Sequence, residues 1–111
     1  MNVLLGVGGG IAAFKAAALA SMLVQRGHRV RVALSRDADK FVGARTFEGL
    51  TGSPVVVSPT QIDPDGTAPH ITATRAAEVM VVAPATADLC ARLAAGVADD
   101  AVTLAALAFA G

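Results

Sequence analysis

Three consecutive glycines, Gly8-Gly9-Gly10, lie between an apolar run and an Ala-rich run near the start of the chain. Glycine permits positive φ angles and a close approach of the backbone to a ligand. If a strand precedes these glycines and a helix follows them, the helix N-terminus adds unpaired N–H groups and a partial positive charge. The pattern favours a phosphate-binding turn, although a tight strand–helix turn without a ligand explains the same residues.

The class of phosphate ligand depends on the end of the second strand. The segment 8–13 fits the dinucleotide pattern G-x-G-x-x-A only loosely, and that pattern requires an acidic residue at the end of the second strand. Here Ser35 and Arg36 occupy that place, and the nearest acid is Asp37. This disfavours NAD, whereas NADP, with Arg36 on its extra phosphate, stays open. Lys15 is not part of a Walker motif.

The elements that must position these residues alternate along the chain. Apolar patterns predict strands at 2–7, 29–34, 55–57 and 79–83, and helical segments at 11–26, 38–41, 44–50, 71–77, 86–95 and 99–108. Such alternation is typical of an α/β, Rossmann-like (flavodoxin-like) fold with a parallel sheet between two helical layers. Residues 58–69 contain three prolines and predict a long loop. An α/β sheet normally receives another strand after such a helix, so we expect this single domain, 1–111, to be incomplete at its C-terminus.

Composition narrows the classes of function. Hydrophobic residues make up 54% of the 111 residues and charged residues 16%, with zero formal net charge. This excludes a disordered chain and gives no sign of a nucleic-acid or membrane partner. The low charge indicates either surface covered by other subunits or a simple Ala-rich bias. Two histidines and one cysteine, widely spaced, do not form a metal site. The lone Cys90 fits a cytoplasmic setting and is expected to be a small buried hydrophobe.

Three blocks of sequence carry a family resemblance. They are Gly6-Val7-Gly8-Gly9-Gly10-Ile11-Ala12-Ala13-Phe14-Lys15, Ala83-Pro84-Ala85-Thr86-Ala87-Asp88-Leu89 and Gly96-Val97-Ala98-Asp99-Asp100. In order and spacing they resemble the G-V-T-G-G-I-A-A-Y-K, P-A-[ST]-A-N-T and G-I-A-D-D motifs of the FMN-dependent cysteine decarboxylases. This flavoprotein family includes the phosphopantothenoylcysteine decarboxylase domain of bifunctional coenzyme A biosynthesis proteins. The resemblance covers nearly the whole chain.

The resemblance implies a cofactor site and a catalytic residue. It assigns FMN binding to Gly8, Gly9, Gly10, Ile11, Ser35, Thr86, Ala87, Asp88 and Leu89. It also assigns the catalytic role to His70. Local structure offers simpler explanations for some of these residues: Thr86 can cap a helix, and His70 can bond to backbone at a helix start.

The reaction implied by the resemblance is decarboxylation of phosphopantothenoylcysteine to phosphopantetheine in coenzyme A biosynthesis. FMN oxidises the cysteine moiety to a thioaldehyde, carbon dioxide leaves, and the reduced flavin returns the hydride equivalent. His70 would act as base or positive partner for the thiol, a task that suits histidine near neutral pH. The resemblance also implies a homo-oligomer built from trimers, with FMN between subunits.

The chain departs from the family pattern in three places. Gly8 replaces the usual Thr or Ser, and Asp88 replaces the usual Asn, so that a carboxylate stands where an amide could donate. The P-x-M-N-x-x-M motif and a later cysteine do not occur within 111 residues, so that activity of these residues alone is in question. A peptidyl-cysteine decarboxylase, a non-catalytic flavin-binding or subunit-interaction protein, a UbiX-like prenyltransferase and an NADP-binding module remain alternatives. His70 and the 96–100 block argue against the prenyltransferase.

Overall fold

A three-stranded parallel sheet forms the centre of the molecule in the computed structural model, which describes residues 1–109. The strands lie in the order β2-β1-β3. Along the chain the elements are β1 (Asn2–Val7), α1 (Ala13–Gln25), β2 (Arg29–Leu34), a 3-10 turn (Ala38–Lys40), α2 (Ala44–Thr51), α3 (Pro69–Ala76), β3 (Val79–Val82), α4 (Ala87–Ala94) and α5 (Ala101–Ala108). The α/β fold class predicted from the sequence is confirmed.

Helices cover both faces of the sheet because the side chains of β1 alternate between two cores. Val3, Leu5 and Val7 are buried in a cluster with residues of α1 and α2. Leu4 is buried in the opposite cluster, with residues of α3, α4 and α5. On that second face α5 packs closely on Gly6, since a Cβ there would lie 3.0 Å from Val102 Cγ1. The three-layer arrangement therefore follows from the period-two pattern of an inner strand.

The two later strands lie on opposite sides of β1. The first crossover carries the chain from β1 to β2, and the later crossover places β3 on the other side of β1. Between the carboxyl ends of β1 and β3 the sheet therefore has a topological switch point. Ligands of open α/β sheets bind in the crevice at such a point.

The predicted strand at 55–57 is wrong. Val56 makes a single parallel bridge to Ala33, with Leu34 N donating to Val56 O at 2.9 Å. The side chain of Gln61 covers the opposite edge of this segment, on the side that faces away from β2. Its Oε1 accepts from Val57 N at 2.8 Å, and its Nε2 donates to Val55 O at 3.0 Å.

Helix boundaries differ from the predicted ones by one or two residues. Helix α1 begins at Ala13 rather than at 11, because residues 10–12 form a turn before it. Helix α3 begins at Pro69 rather than at 71, which places a proline at the first helical position, where no N–H is needed. Within residues 1–109 no helix is both long and apolar enough to cross a bilayer.

Candidate functional site

The N-terminus of α1 presents a row of unpaired backbone donors at the carboxyl end of β1. Among the described residues, the N–H groups of Gly9, Gly10, Ile11 and Ala12 donate to no acceptor, whereas Ala13 N donates to Gly10 O at 3.0 Å. The helix has neither a capping side chain nor an acidic residue in its first turn. Such a helix end attracts anions, because its donors and dipole both favour negative charge.

The three glycines of this turn differ in their contacts and backbone angles. A Cβ on Gly8 would lie 2.4 Å from Pro84 O, and Gly8 N donates to that same oxygen at 2.9 Å. Gly9 packs against the turn after β2, where a Cβ would lie 3.2 Å from Asp37 Cβ. Gly10 has a φ of 144°, which other residues rarely adopt. Gly8 and Gly9 therefore allow neighbouring loops to pack closely against the turn, and Gly10 supplies the positive φ angle of the turn.

Ser35 places a hydroxyl beside this turn. It is 7% exposed, and its own N–H donates to Val7 O at 3.0 Å, which fixes it to the end of β1. Ser35 lines the crevice, so that its hydroxyl is available to a ligand there.

Helix α4 forms the opposite side of the crevice. Thr86 Oγ1 accepts from Leu89 N at 3.1 Å and so caps the helix, while its O–H can still donate. Leu89 is 2% exposed and anchors α4 in the core. The Asp88 side chain is 78% exposed, 3.4 Å from Arg92 Nε at an ion-pair distance without hydrogen-bond geometry.

These residues enclose a cleft of about 260 Å³ at the switch point. Its lining residues are Gly9, Gly10, Ser35, Arg36, Asp37, Phe41, Thr86, Asp88, Leu89 and Arg92. Six of the predicted cofactor residues are therefore brought together, whereas Gly8, Ile11 and Ala87 adjoin the lining. Sequence reasoning did not assign Asp37, Phe41 or Arg92 to the site and considered Arg36 only for NADP.

A larger cavity, of about 340 Å³, lies at the amino ends of β1 and β2. It contains the ion pair between Arg31 and Asp63, whose Nη2 and Oδ2 atoms are 3.0 Å apart. None of the predicted site residues lines it. The smaller cleft is the better candidate, because it lies at the carboxyl ends of the strands and holds the open donors of α1.

Two arginines that line the cleft, Arg36 and Arg92, form a charged network with Asp99 and Asp100. Asp100, only 4% exposed, caps α5 and accepts from Arg36 N at 3.1 Å and from the Arg92 guanidinium. The guanidinium groups of Arg36 and Arg92 also both pair with the Asp99 carboxylate. Burial raises the pKa of the Asp100 carboxyl, but hydrogen bonds from Thr103 N, Arg92 and Arg36 N outweigh it and bring this pKa below its usual 3.8. The carboxylate is thus held in its charged form.

His70 is not among the residues that line the cleft. It is the second residue of α3 and is half-buried. Its Nδ1 is buried without a hydrogen-bond partner among residues 1–109. The predicted catalytic role therefore stays a prediction, and this chain by itself does not bring the imidazole into the cleft.

The expectation for Cys90 is wrong, because its side chain is exposed on α4 rather than buried. Leu89 is the buried residue of that helix and faces the core. Cys90, the next residue along the helix, therefore faces outward. Within residues 1–109 no three His, Cys, Asp or Glu side chains stand close enough to hold a metal ion.

The parallel sheet, its switch-point cleft and the open helix N-terminus define an α/β protein of the mononucleotide-binding kind. The chain belongs to the Flavoprotein family, whose model matches residues 1–111. It is 50% identical over 103 residues to the coenzyme A biosynthesis bifunctional protein CoaBC of Mycobacterium tuberculosis, a match that covers 92% of this chain and 24% of that protein. The chain thus spans about a quarter of the length of the curated relatives it matches.

Solved structures agree with this family. The crystal structure of the FMN-dependent cysteine decarboxylase SpaF matches with a TM-score of 0.86 and 30% identity, over 98% of this chain and 63% of that one. The FMN-dependent cysteine decarboxylase TvaF, from thioviridamide biosynthesis, matches with a TM-score of 0.89 and 28% identity, over 99% and 68% of the two chains. The family resemblance read from the three sequence blocks is confirmed.

Proposed function

We propose that this chain binds FMN in the switch-point cleft and serves the decarboxylation of phosphopantothenoylcysteine in coenzyme A biosynthesis. The observation that carries the proposal is the run of open N–H groups at 9–12 in a cleft that Ser35 also lines. The names of the matched proteins, a coenzyme A biosynthesis protein and two FMN-dependent cysteine decarboxylases, support the same assignment.

The residues of the cleft fit the anionic end of FMN. The backbone donors of Gly9, Gly10 and Ile11 and the hydroxyl of Ser35 would hold the phosphate, since neither cap nor acid occupies the α1 N-terminus. The start of α4, at 86–89, would contact the rest of the cofactor. Its exposed Asp88 carboxylate can accept hydrogen bonds there but cannot donate them.

Titration of the purified chain with FMN, followed by quenching of flavin fluorescence, tests the cofactor. We expect saturable binding, and weaker binding of riboflavin, which has no phosphate for the α1 donors. NADPH in place of FMN tests the dinucleotide alternative, which the pairing of Arg36 with Asp99 disfavours. Protein that takes up no FMN, or that prefers NADPH, would overturn the assignment.

Bound FMN would supply the redox chemistry, and the protein would orient the substrate and move protons. We propose His70 as the group that handles the substrate thiol, supported by its buried and unpartnered Nδ1. The variant His70→Asn is expected to keep FMN affinity and lose decarboxylation, assayed by release of carbon dioxide from phosphopantothenoylcysteine. Turnover by the variant equal to that of the parent protein would remove His70 from the mechanism.

We further propose a homo-oligomer built from trimers, in which one subunit brings its His70 to the cleft of another. Support comes from exposed apolar residues in and just before α1: Ile11 in the preceding turn is 83% exposed, and Phe14 and Met22 on the helix are 58% and 43% exposed. Phe41, at the rim of the cleft, is 52% exposed. Light scattering should give a mass that is a multiple of three chains, and Phe14→Asp should lower it, whereas Arg45→Asp on the exposed side of α2 should not. A monomeric parent protein would refute the proposal.

Mixing two inactive variants tests the shared site. His70→Asn and a cleft variant such as Gly10→Ala, unfolded and refolded together, should regain part of the activity if His70 acts across a subunit boundary. No regain would place His70 and the cleft in one subunit. A cytoplasmic setting belongs to the same proposal, supported by the exposed free thiol of Cys90.

The non-catalytic alternative shares the FMN site and differs only in turnover. A peptidyl-cysteine decarboxylase would instead act on peptides that end in cysteine. Parallel assays with phosphopantothenoylcysteine and such a peptide separate the three functions. FMN binding with no turnover of either substrate would favour a flavin-binding subunit without catalysis.

A further inference from the structure

A single carboxylate oxygen joins the two walls of the cleft. One wall is the turn 35–37 after β2, and the other is helix α4. Asp100 Oδ2 accepts from Arg36 N in the first wall at 3.1 Å and from Arg92 Nη2 in the second. The other oxygen, Oδ1, accepts from Thr103 N at 2.9 Å and caps α5.

Each wall also touches the glycine turn, so their spacing determines the width of the cleft. Asp37 packs against Gly9, where a Cβ would lie 3.2 Å from Asp37 Cβ. On the α4 side, the methyl group of Thr86 lies 3.8 Å from the position of a Cβ on Gly10. A shift of either wall would therefore move the groups that surround the donors of α1.

We propose that Asp100 is a positioning residue that sets the spacing of these walls, and through it the affinity of the cleft for FMN. This inference rests on the proposed function. The carboxylate is 4% exposed, so water does not compete for its bonds, and such bonds are stronger than in solvent. It touches the cleft only through Arg36 and Arg92, and it does not line the cleft.

The substitution Asp100→Asn isolates this role. An amide has one acceptor oxygen where the carboxylate has two, so it can keep either the α5 cap or the bond between the walls. We expect FMN affinity, measured by fluorescence quenching, to fall by roughly tenfold. Mutation of a residue that supports a metal ligand lowers metal affinity by about 10- to 100-fold, and we expect the lower end of that range here. Arg92→Gln removes the α4 half of the tie and leaves the cap of α5 in place.

The double variant provides a signature that a merely structural role lacks. If the tie is the common cause, Asp100→Asn and Arg92→Gln together should lose little more affinity than either alone, because the second change breaks a bond that is already broken. Losses that multiply would mean that Arg92 contacts FMN independently, and would overturn the proposal.

Asp63→Asn is the matched control, because it breaks an ion pair of similar burial at the amino edge of the sheet. It should lower Tm, measured by circular dichroism, and leave FMN affinity unchanged. Equal affinity loss in the control, or wild-type affinity in both Asp100→Asn and Arg92→Gln, would overturn the inference alone. A parent protein that binds no FMN would overturn the proposed function. If Asp100→Asn does not fold, Arg92→Gln decides the question.

Discussion

Helices α1 and α5 both begin near the carboxyl edge of the sheet, and they begin in opposite ways. The N-terminus of α5 is closed by its own chain, because Asp100 and Thr103 exchange hydrogen bonds in a capping box and Arg92 pairs with the same carboxylate. The N-terminus of α1 lacks a side-chain cap, and the N–H groups at 9–12 have no acceptor among residues 1–109. The difference shows which helix end is structural and which is available to a ligand.

The local backbone explains why α1 stays open. Its N-cap residue, Ala12, has no polar side chain and adopts helical angles, with φ −67° and ψ −4°. A capping residue normally adopts extended angles, as Asp100 does with φ −139° and ψ 178°. The α1 N-terminus therefore has no side-chain cap, and the backbone N–H groups of the turn before it stay available as donors.

The largest expected effect comes from opening the closed end. Asp100→Ala removes the cap of α5 and leaves Arg92 short of its buried partner, so we expect the free energy of unfolding to fall by about 3–5 kcal/mol. Urea denaturation measures it. Thr86→Ala, which removes the cap of α4 without breaking an ion pair, should cost only about 1 kcal/mol. Similar costs for the two variants would mean that the ion pair between Asp100 and Arg92 contributes nothing.

Acid should weaken the closed end as well. The pKa of Asp100 lies below 3.8 in the folded protein, so the unfolded chain binds protons more readily and stability falls as pH drops below about 4. The contribution is fully present above that range. Unfolding free energies measured between pH 6 and pH 3 (roughly the span in which carboxylates titrate) should decline more steeply for the parent protein than for Asp100→Ala. Parallel declines would contradict the assignment of this contribution to Asp100.

Distorting the open end should separate binding from stability. Gly10→Ala places a side chain at φ 144° and should cost about 1–3 kcal/mol of stability. Gly66→Ala, at φ 85° in the 58–68 loop, imposes comparable strain far from the cleft. Only Gly10→Ala is expected to weaken FMN binding in the fluorescence titration. Equal binding by both variants would show that the geometry of the glycine turn is not used.

The smallest effect concerns charge at the open end. Ile11→Asp brings a carboxylate to the α1 donors and should stabilise the protein without ligand by about 0.3–1 kcal/mol at low salt. The same charge should repel a phosphate and weaken FMN binding. Ile11→Asn is the neutral control of equal size, so thermal melts and titrations of the pair isolate the charge. A variant Ile11→Asp that binds FMN as tightly as Ile11→Asn would place the phosphate elsewhere.

Local patterns predicted most of the fold. The bounds of β1 and β2 agree with the predicted ones. The inner strand β1 is a short apolar segment that ends in glycine, and β2 alternates charged and apolar residues at its start. The glycine turn and the helix after it were equally visible. The predicted strand at 55–57 failed, since Val56 makes a single bridge to β2 and the side chain of Gln61 binds the backbone groups on the opposite edge.

The site was less visible than the fold because its support comes from distant residues. Asp100 bonds to Arg36 across 64 positions and to Arg92 across eight, and no periodicity in the sequence reports such contacts. The block at 96–100 carried part of the family resemblance, but it assigned no role to Asp99 or Asp100. The exposure of Cys90 could have been found from helical spacing, since the adjacent Leu89 is the better core residue.

Gly8 and Pro84 are linked in a way that constrains how this chain can diverge. Gly8 donates to Pro84 O, and any side chain at position 8 would collide with that same oxygen. A Thr or Ser at position 8 would require the turn at 83–85 to move away at the same time. A chimaera that brings a side chain to position 8 while it keeps the loop of Pro84 in place would therefore contain a clash, whereas one that keeps Gly8 avoids it.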